Sequence, residues 1–235
     1  DPIESESGSR HYSTWEEAND DYTITVVAAP LRQSIDILQA MLTAKRQGII
    51  FDIGSIKSPI QSILKDMANI GMQVTSIHPM FGPDSDLLTG KQIIFMDIDQ
   101  QNTHQEVKKL FESTTAQLID MSIENHDYAI AYVLGLSHMI NIAFAKVLAS
   151  SDDNRAVLPN LSSTTFKDQL NVAKRVTDEN PHLYFEIQHL NEHSLKTIKE
   201  LNSAISEITQ AITEGQEETF VAMMEEGQSY FNKNK

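Results

Sequence analysis

The 235-residue sequence contains no cysteine. That absence excludes disulfides, thiolate catalysis and cysteine metal sites, and cysteine therefore gives no information about the redox compartment. No uninterrupted apolar run approaches the roughly 18 residues that a membrane-spanning helix needs, and no secretory hydrophobic region opens the chain. The sequence therefore predicts a soluble protein with no membrane partner, and the cytoplasm is its default location.

Positive charge is also scarce. Eighteen lysines and arginines stand against 33 aspartates and glutamates, which gives a formal net charge of −15. A protein with this net negative charge repels nucleic acids and anionic membrane surfaces, so we expect no nucleic-acid partner. An anionic small molecule would have to meet lysines or arginines that are concentrated locally.

In the first half of the chain, β-branched runs alternate with stretches of helical periodicity. The predicted strands are residues 22–29, 49–53, 73–77, 92–96 and 117–119, and the predicted helices are 13–19, 34–45, one from about residue 58, and 103–113. Residues 22–29 are expected to form a buried strand. This alternation predicts an α/β fold with a doubly wound, mostly parallel sheet and helices on both faces.

After Met121 the strands stop and long amphipathic helices follow. We predict helices at 122–149, 165–174, 181–214 and 217–231, with Gly215 between the last two. Apolar residues alternate steps of three and four from Leu195 to Ile212, so this face is predicted to be core or a subunit interface. The domains are therefore predicted as 1–121, a partial nucleotide-binding domain, and 122–235, a helical substrate and dimerisation domain.

A phosphate-binding glycine loop is missing. None of the nine glycines forms G-x-G-x-x-G, the loop that follows the first strand of dinucleotide-binding folds; an acidic residue about 20 positions later binds the ribose. Asp1 fits that acidic residue, and the chain opens without methionine. We therefore expect a chain that begins one βα unit late; the alternative is that Asp1 is simply a solvated terminus.

His78 is the strongest single candidate for catalysis. Pro79 follows it and Gly82-Pro83 forces a second bend, so His78 is expected on a stiff turn at a strand end, where open α/β sheets bind ligands. A histidine there is suited to accept a proton from a substrate hydroxyl. The alternative is a histidine that only hydrogen-bonds the turn.

Three segments together resemble the prephenate dehydrogenase family, which makes 4-hydroxyphenylpyruvate on the way to tyrosine. They are FDIGSIKSPI (residues 51–60), SIHPMFGPD (76–84) and GLSHMINIAF (135–144), and the pair His126-Asp127 and the segment 166–184 follow in the same order. The resemblance covers essentially the whole chain. It implies a partial Rossmann-type domain, an all-helical dimerisation domain, a homodimer, and NAD as cofactor with NADP as the alternative.

The resemblance also implies roles for particular residues. His78 is expected to accept the ring-hydroxyl proton, and Ser55 to orient His78 and touch that hydroxyl. Residues expected to bind the substrate are Arg175 at the ring carboxylate, Lys167, Ser137, His138 and Asn141; residues expected on the cofactor side are Asp1, Pro30, Ser34 and Lys57. Lys57, Lys167 and Arg175 are the cations expected to line the pocket.

Two departures and several alternatives remain. Asn141 stands where one branch of the family has a second histidine, and Asn171 where that branch has its substrate arginine. The resemblance implies that the substrate is prephenate or arogenate. Other hypotheses are a β-hydroxyacid-type dehydrogenase and a non-catalytic helical dimer that has lost its cofactor site.

Several of these residues also have a purely structural interpretation. Ser55 could be only a helix cap, Arg175 a surface cation, and His138 a core histidine. The carboxylate pairs Asp84 with Asp86 and Asp97 with Asp99 are interpreted as solvated turns, so we predict no metal site.

Overall fold

The structure is a computed structural model that describes residues 12–18, 22–82, 87–151, 158–161 and 163–233. Asp1 and the pair Asp84 and Asp86 lie outside the described residues. By their internal contacts the residues form two compact units. The first comprises Asp1–Ile130 and Asn180–Glu192, and the second Ala131–Glu179 and His193–Lys235.

The first unit is built on a five-stranded sheet in the order β1-β2-β3-β4-β5. The strands are β1 (Ile24–Val27), β2 (Ile49–Asp52), β3 (Val74–Pro79), β4 (Gln92–Asp97) and β5 (Gln117–Ser122). The pairs β1–β2, β2–β3 and β4–β5 are parallel, and only β3–β4 is antiparallel. The predicted mostly parallel α/β sheet is confirmed.

Helices cover both faces of this sheet. They are α1 (Leu31–Ala44), α2 (Gln61–Asn69), α3 (Gln101–Lys109) and α4 (Ile123–Ile130). The first unit also contains α7 (Pro181–Leu190). Val107 of α3 packs with Phe51 and Phe95 in one cluster of buried residues. Ile50, which points to the opposite face, is also fully buried; the right-handed crossovers β1-α1-β2 and β2-α2-β3 place α1 and α2 there.

The prediction that the first strand is buried was wrong. Ile24 is 36% exposed and Val26 is 46% exposed, whereas Val27 on the other face is buried. Among the described residues β1 pairs only with β2, so it forms an edge of the sheet and one of its faces carries apolar side chains to solvent.

The expected position of His78 on a turn was also wrong. β3 continues through His78, which pairs with Ile94 of β4, and His78 is only 3% exposed. The antiparallel neighbour extends β3 beyond the point at which proline suggested an end. His78 is therefore fixed by a strand and not by a loop.

Several helix boundaries differ from the prediction. The short helix near Trp15 is a single 3-10 turn, Trp15–Ala18. α2 begins at Gln61, after a turn at residues 58–60. The region predicted as one helix at 181–214 is divided into α7 and α8 (Ser194–Glu214) because Asn191 adopts an extended conformation, and its side chain donates to the Asp127 carbonyl oxygen at 2.8 Å.

The second unit is helical. It contains a π-helical segment (Ala131–Leu136), α5 (Ser137–Ala149), α6 (Thr164–Asp178), α8 and α9 (Glu217–Lys233). Phe144 of α5 stacks edge-on against Phe166 of α6 with 6.0 Å between ring centroids. Tyr132 donates to Glu200 of α8 at 2.9 Å. Gly215 ends α8 in the left-handed conformation, as the sequence predicted.

One continuous helix, Ile123–Ala149, is more apolar than we expected from the lack of long uninterrupted apolar runs. It has 27 residues, and its most apolar 18-residue window has a mean hydropathy of 1.5. The fold buries 28% of that window. Length and composition alone would allow it to cross a membrane. The packed helices of soluble proteins also meet these two criteria, and this helix carries the buried polar residues His126, Asp127, His138 and Asn141.

Candidate functional site

The candidate site is centred on two buried histidines of the first unit. His78 Nδ1 lies 3.0 Å from His126 Nε2, and the rings meet edge to face with centroids 5.1 Å apart. β3 supplies His78, and α4 supplies His126, which has no exposed surface. Among the described residues no hydrogen bond reaches His78 Nε2, so this nitrogen is left for a ligand.

Asp127 holds the second histidine and the loop after β2 at the same time. Its Oδ1 lies 2.6 Å from His126 Nδ1 and accepts from the Lys57 backbone N–H at 2.8 Å. Its Oδ2 accepts from the backbone N–H and the hydroxyl of Ser58. Both carboxylate oxygens therefore have hydrogen-bond partners, as a side chain that is only 3% exposed requires.

A buried ion pair lies beside the histidines. Lys57 Nζ donates to Asp52 Oδ2 at 2.5 Å and to the carbonyl oxygen of Ile77 at 2.9 Å. Asp52 also accepts from the Ser76 hydroxyl and from the Gly54 backbone N–H. The cluster ties the loop after β2 to the end of β3, next to His78.

Lys57 therefore does not fit the role predicted for it. Its side chain is fully buried, and its ammonium group is committed to Asp52 and Ile77. It lines none of the three cavities described, and its charge is paired with that of Asp52. Removing one partner of such a buried pair costs about 3–5 kcal/mol, because the remaining charge is left uncompensated.

The electrostatics of the cluster keep both histidines neutral. Burial lowers the pKa of His78 well below 6.5, and the charges of Lys57 and His126 lower it further. Burial also lowers the pKa of His126, against the hydrogen bond that His126 donates to Asp127, which raises it. For Asp127, burial raises the pKa, but hydrogen bonds from His126 and Ser58 outweigh it, so the net shift is downward and the carboxylate stays ionised.

The remaining predicted residues of the first unit lie in or near the turns that follow β1 and β2. Ser55 is half-buried in the turn after β2, and no hydrogen bond among the described residues joins it to His78; His126 provides the contact expected of Ser55. Pro30 is exposed and precedes α1. Ser34 is buried, and its hydroxyl donates to the Ala29 carbonyl oxygen at 2.9 Å, so it stabilises the β1–α1 turn.

The predicted substrate residues lie in the second unit. Lys167 and Arg175 are both exposed on α6, and Ser137 is exposed at the start of α5. His138 is buried, which lowers its pKa. Asn141 is buried as well: its amide donates to the Ser137 carbonyl oxygen, and its oxygen accepts from Gln169, each at 2.8 Å. Asn141 thus has a structural role within this unit.

A separate cavity lies away from the two histidines. It has a volume of about 500 Å³ and lies at the carboxyl ends of β4 and β5, which run opposite to β3. Two of its carboxylates are already paired: Asp120 with His104 and Lys108, and Glu124 with Lys65. No group of three potential metal ligands occurs among the described residues. We therefore place the chemistry at His78 and not in this cavity.

Sequence reasoning noticed the pair His126-Asp127 but gave it no role. The contact between His126 and His78 joins residues 48 positions apart, so no local pattern reports it. Asp52 and Ser76 were missed altogether. A buried acidic residue at the end of the apolar strand 49–52, five residues before a lysine, was the available signal.

Two family models match the chain. Residues 10–120 match the model described as prephenate dehydrogenase, nucleotide-binding domain, and residues 122–226 match prephenate dehydrogenase, dimerization domain. The T-protein of Enterobacter agglomerans is 26% identical over 212 residues, which cover 90% of this chain and 56% of that protein. A Methanocaldococcus jannaschii protein named "Probable arogenate/prephenate dehydrogenase" is 24% identical over 233 residues, 97% of this chain and 52% of that protein.

The chain thus spans about half the length of these curated relatives. Among solved structures, prephenate dehydrogenase from A. aeolicus, in complex with hydroxyphenyl propionate and NAD+, superposes with a TM-score of 0.73 at 20% identity. The match covers 95% of this chain and 81% of that one. At this identity the likeness concerns the fold.

Proposed function

The chain belongs to the prephenate dehydrogenase family, and from that membership we propose that it catalyses the oxidative decarboxylation of prephenate to 4-hydroxyphenylpyruvate. The observation that carries the proposal is His78, a neutral imidazole whose Nδ1 is held by His126 and whose Nε2 has no partner among the described residues. Relatives named for prephenate and arogenate support the substrate class, and arogenate is the alternative.

The proposed reaction assigns His78 one task. The hydroxyl-bearing ring carbon loses a hydride, and His78 accepts the hydroxyl proton as the C–O bond gains double-bond character. The bond to the ring carboxylate breaks and releases CO₂, its electron pair completes the aromatic ring, and the phenolate oxygen takes the proton back from His78. The base is therefore restored without net release of a proton.

The cofactor of the proposed reaction is NAD, with NADP as the alternative; when bound, it supplies the hydride acceptor. Among the described residues, those that fit the cofactor lie where its nicotinamide end would bind. The parallel strands β1 and β2 end side by side, and the turns at residues 28–30 and 53–58 follow them, where open α/β sheets bind ligands. No G-x-G-x-x-G sequence is present for the diphosphate.

The substrate is a dianion, so the proposal needs cations on a strongly acidic chain. Lys167 and Arg175 are exposed on α6, eight residues apart. The planar guanidinium of Arg175 suits a carboxylate, and we keep it as the proposed ligand of the ring carboxylate. Ser55, Ser137 and His138 remain proposed substrate contacts.

The proposed assembly is a homodimer formed by the second unit. Residues 122–226 match a dimerization domain, and apolar side chains of α8 are exposed in the single chain: Leu195 is 70% exposed and Ile212 is 65% exposed. This exposure supports the second of the two predicted roles for this face, a subunit interface. The domain boundary near residue 121 and the cytoplasmic location stay predictions.

The test is turnover with prephenate and NAD, followed by the absorbance of the reduced nicotinamide. We would assay the 235-residue chain and a version extended by any residues that its source gene encodes before Asp1. His78→Asn should lower kcat by about 10²- to 10⁴-fold and leave KM nearly unchanged. His104→Asn, at a buried histidine of the same sheet unit, is the matched control. Unchanged kcat in His78→Asn would remove His78 from the mechanism; turnover of arogenate alone would change the substrate.

A further inference from the structure

Three side chains of the first unit form a buried chain of hydrogen bonds that ends at the catalytic candidate. Asp127 Oδ1 lies 2.6 Å from His126 Nδ1, and His126 Nε2 lies 3.0 Å from His78 Nδ1. None of the three residues is more than 3% exposed. No water competes for these bonds, so the direction of each donor is set by the partners themselves.

The direction can be worked out from the carboxylate end. Asp127 accepts from the Lys57 and Ser58 backbone N–H groups and from the Ser58 hydroxyl, so it is ionised and offers only acceptors. His126 must then carry its proton on Nδ1. A neutral His126 presents a lone pair at Nε2, and His78 must donate to it from Nδ1.

We propose that Asp127 and His126 are positioning residues that hold His78 in the Nδ1–H tautomer and thereby reserve the Nε2 lone pair for the substrate hydroxyl. The inference rests on the proposed function, because it specifies which nitrogen of the proposed base reacts. Without these partners the imidazole would have no fixed donor direction, and a proton on Nε2 would block the base.

The same chain accounts for the charge that develops during reaction. When His78 Nε2 takes the hydroxyl proton, the imidazolium donates from Nδ1 to His126, which in turn donates from Nδ1 to Asp127. The carboxylate stays ionised and stabilises the positive charge through the intervening ring, as in other carboxylate-oriented histidines. The proton that His78 Nε2 takes from the hydroxyl returns to the phenolate oxygen of the product, so atoms and charge balance.

The first test reads the tautomer directly and requires neither substrate nor cofactor. The chain has eight histidines; with ¹⁵N-labelled histidine, long-range ¹H–¹⁵N spectra distinguish protonated from unprotonated ring nitrogens, and His78→Gln assigns the signal. We expect a protonated Nδ1 and an unprotonated Nε2 at neutral pH. A protonated His78 Nε2 would overturn the proposal, whether or not the chain turns over prephenate.

Asp127→Asn should reverse the chain. If its oxygen keeps the Ser58 donors, its amide donates to His126 Nδ1, which moves the proton of His126 to Nε2 and that of His78 to Nε2. The expected results are a protonated His78 Nε2 and a kcat lower by about 10²- to 10⁴-fold with little change in KM. An Asp127→Asn protein that keeps the wild-type tautomer would contradict the inference.

Two further variants separate positioning from folding. His104→Asn changes a buried histidine that bonds Asp120 and lies outside the histidine chain, so both the tautomer of His78 and kcat should stay close to wild type. His126→Phe fills a similar volume without ring nitrogens, and His78 should then lose its tautomer preference. If the wild-type chain and every variant lack turnover but the tautomer of His78 in the wild-type chain is as expected, the proposed function fails and the hydrogen-bond assignment stands.

Discussion

At the scale of single residues, the site depends on keeping charge out of a buried cluster. His78 and His126 are neutral because burial, and then the nearby Lys57, disfavours their imidazolium forms. In the unfolded chain both would titrate near 6.5. The unfolded state therefore binds more protons than the folded state between that pH and the lower pKa values of the folded protein.

This asymmetry predicts that the free energy of unfolding falls as the pH drops below about 6.5, because each histidine shifted downward favours the folded state only where it is neutral. Urea unfolding at pH 7, 6 and 5 would measure the slope. In His78→Gln the slope should be shallower by the contribution of one histidine. An exposed histidine such as His182 provides the control, and equal slopes for His182→Gln and His78→Gln would contradict the expectation.

The residues also show where sequence reasoning stops. His78 was identified from its motif, and its antiparallel partner was not, because a strand 16 residues farther along the chain decides whether the His-Pro step is a turn. Lys57 looked like a pocket cation because its sequence neighbours resemble a ligand loop. Its burial against Asp52 and Ile77 is a tertiary fact.

At the scale of elements, regular periodicity predicted most of the chain. Strands β2, β4 and helices α1, α6 lie within a few residues of their predicted positions, since buried β-branched runs and helical stripes are local signals. The break at Asn191 was missed because the apolar spacing continues through it, whereas the cause is a hydrogen bond to Asp127.

The α1–β2 connection offers a test at this scale. Gly48 has φ +86°, and a Cβ there would lie 2.7 Å from the Thr23 carbonyl oxygen of the neighbouring chain segment. Gly71 has φ +83°, and a Cβ there would meet nothing within 4 Å. Both glycines have a positive φ that would strain an alanine, and they differ in the space that a Cβ would find.

Gly71→Ala should therefore cost about 1 kcal/mol of unfolding free energy, from the backbone alone. Gly48→Ala should cost about 1–3 kcal/mol more, because the backbone of residue 23 cannot move away without disturbing β1. Denaturant unfolding of both variants measures the difference. Equal losses would show that β1 yields easily at this edge.

At the scale of the whole molecule, the missing glycine loop has a measurable consequence. A dinucleotide owes much of its affinity to a helix N-terminus and backbone N–H groups around its phosphates. We expect the 235-residue chain to bind NAD no more tightly than about 100 µM in calorimetry at neutral pH. Micromolar binding would show that other residues hold the diphosphate.

The proposed dimer can be tested on α8. Ile205 is 51% exposed and Ile212 is 65% exposed on one face of this helix, and a charge on that face would lie in the proposed interface. The double variant Ile205→Asp/Ile212→Asp should weaken dimerisation at least about 100-fold in sedimentation experiments. Gln210→Asp, an exposed residue on the other side of α8, should leave it unchanged. A monomeric wild-type chain would remove the dimer from the proposal.

The edge position of β1 also determines how this protein must be handled. Within the described part of the chain β1 has a neighbouring strand on one side only, and with the exposed apolar side chains Ile24 and Val26 it is a template on which other chains can add strands. Concentrated or partly unfolded samples would then be lost to ordered aggregates that begin at this strand. A lysine in place of Val26 would act as a gatekeeper, because each added strand would have to bury or repel a charge.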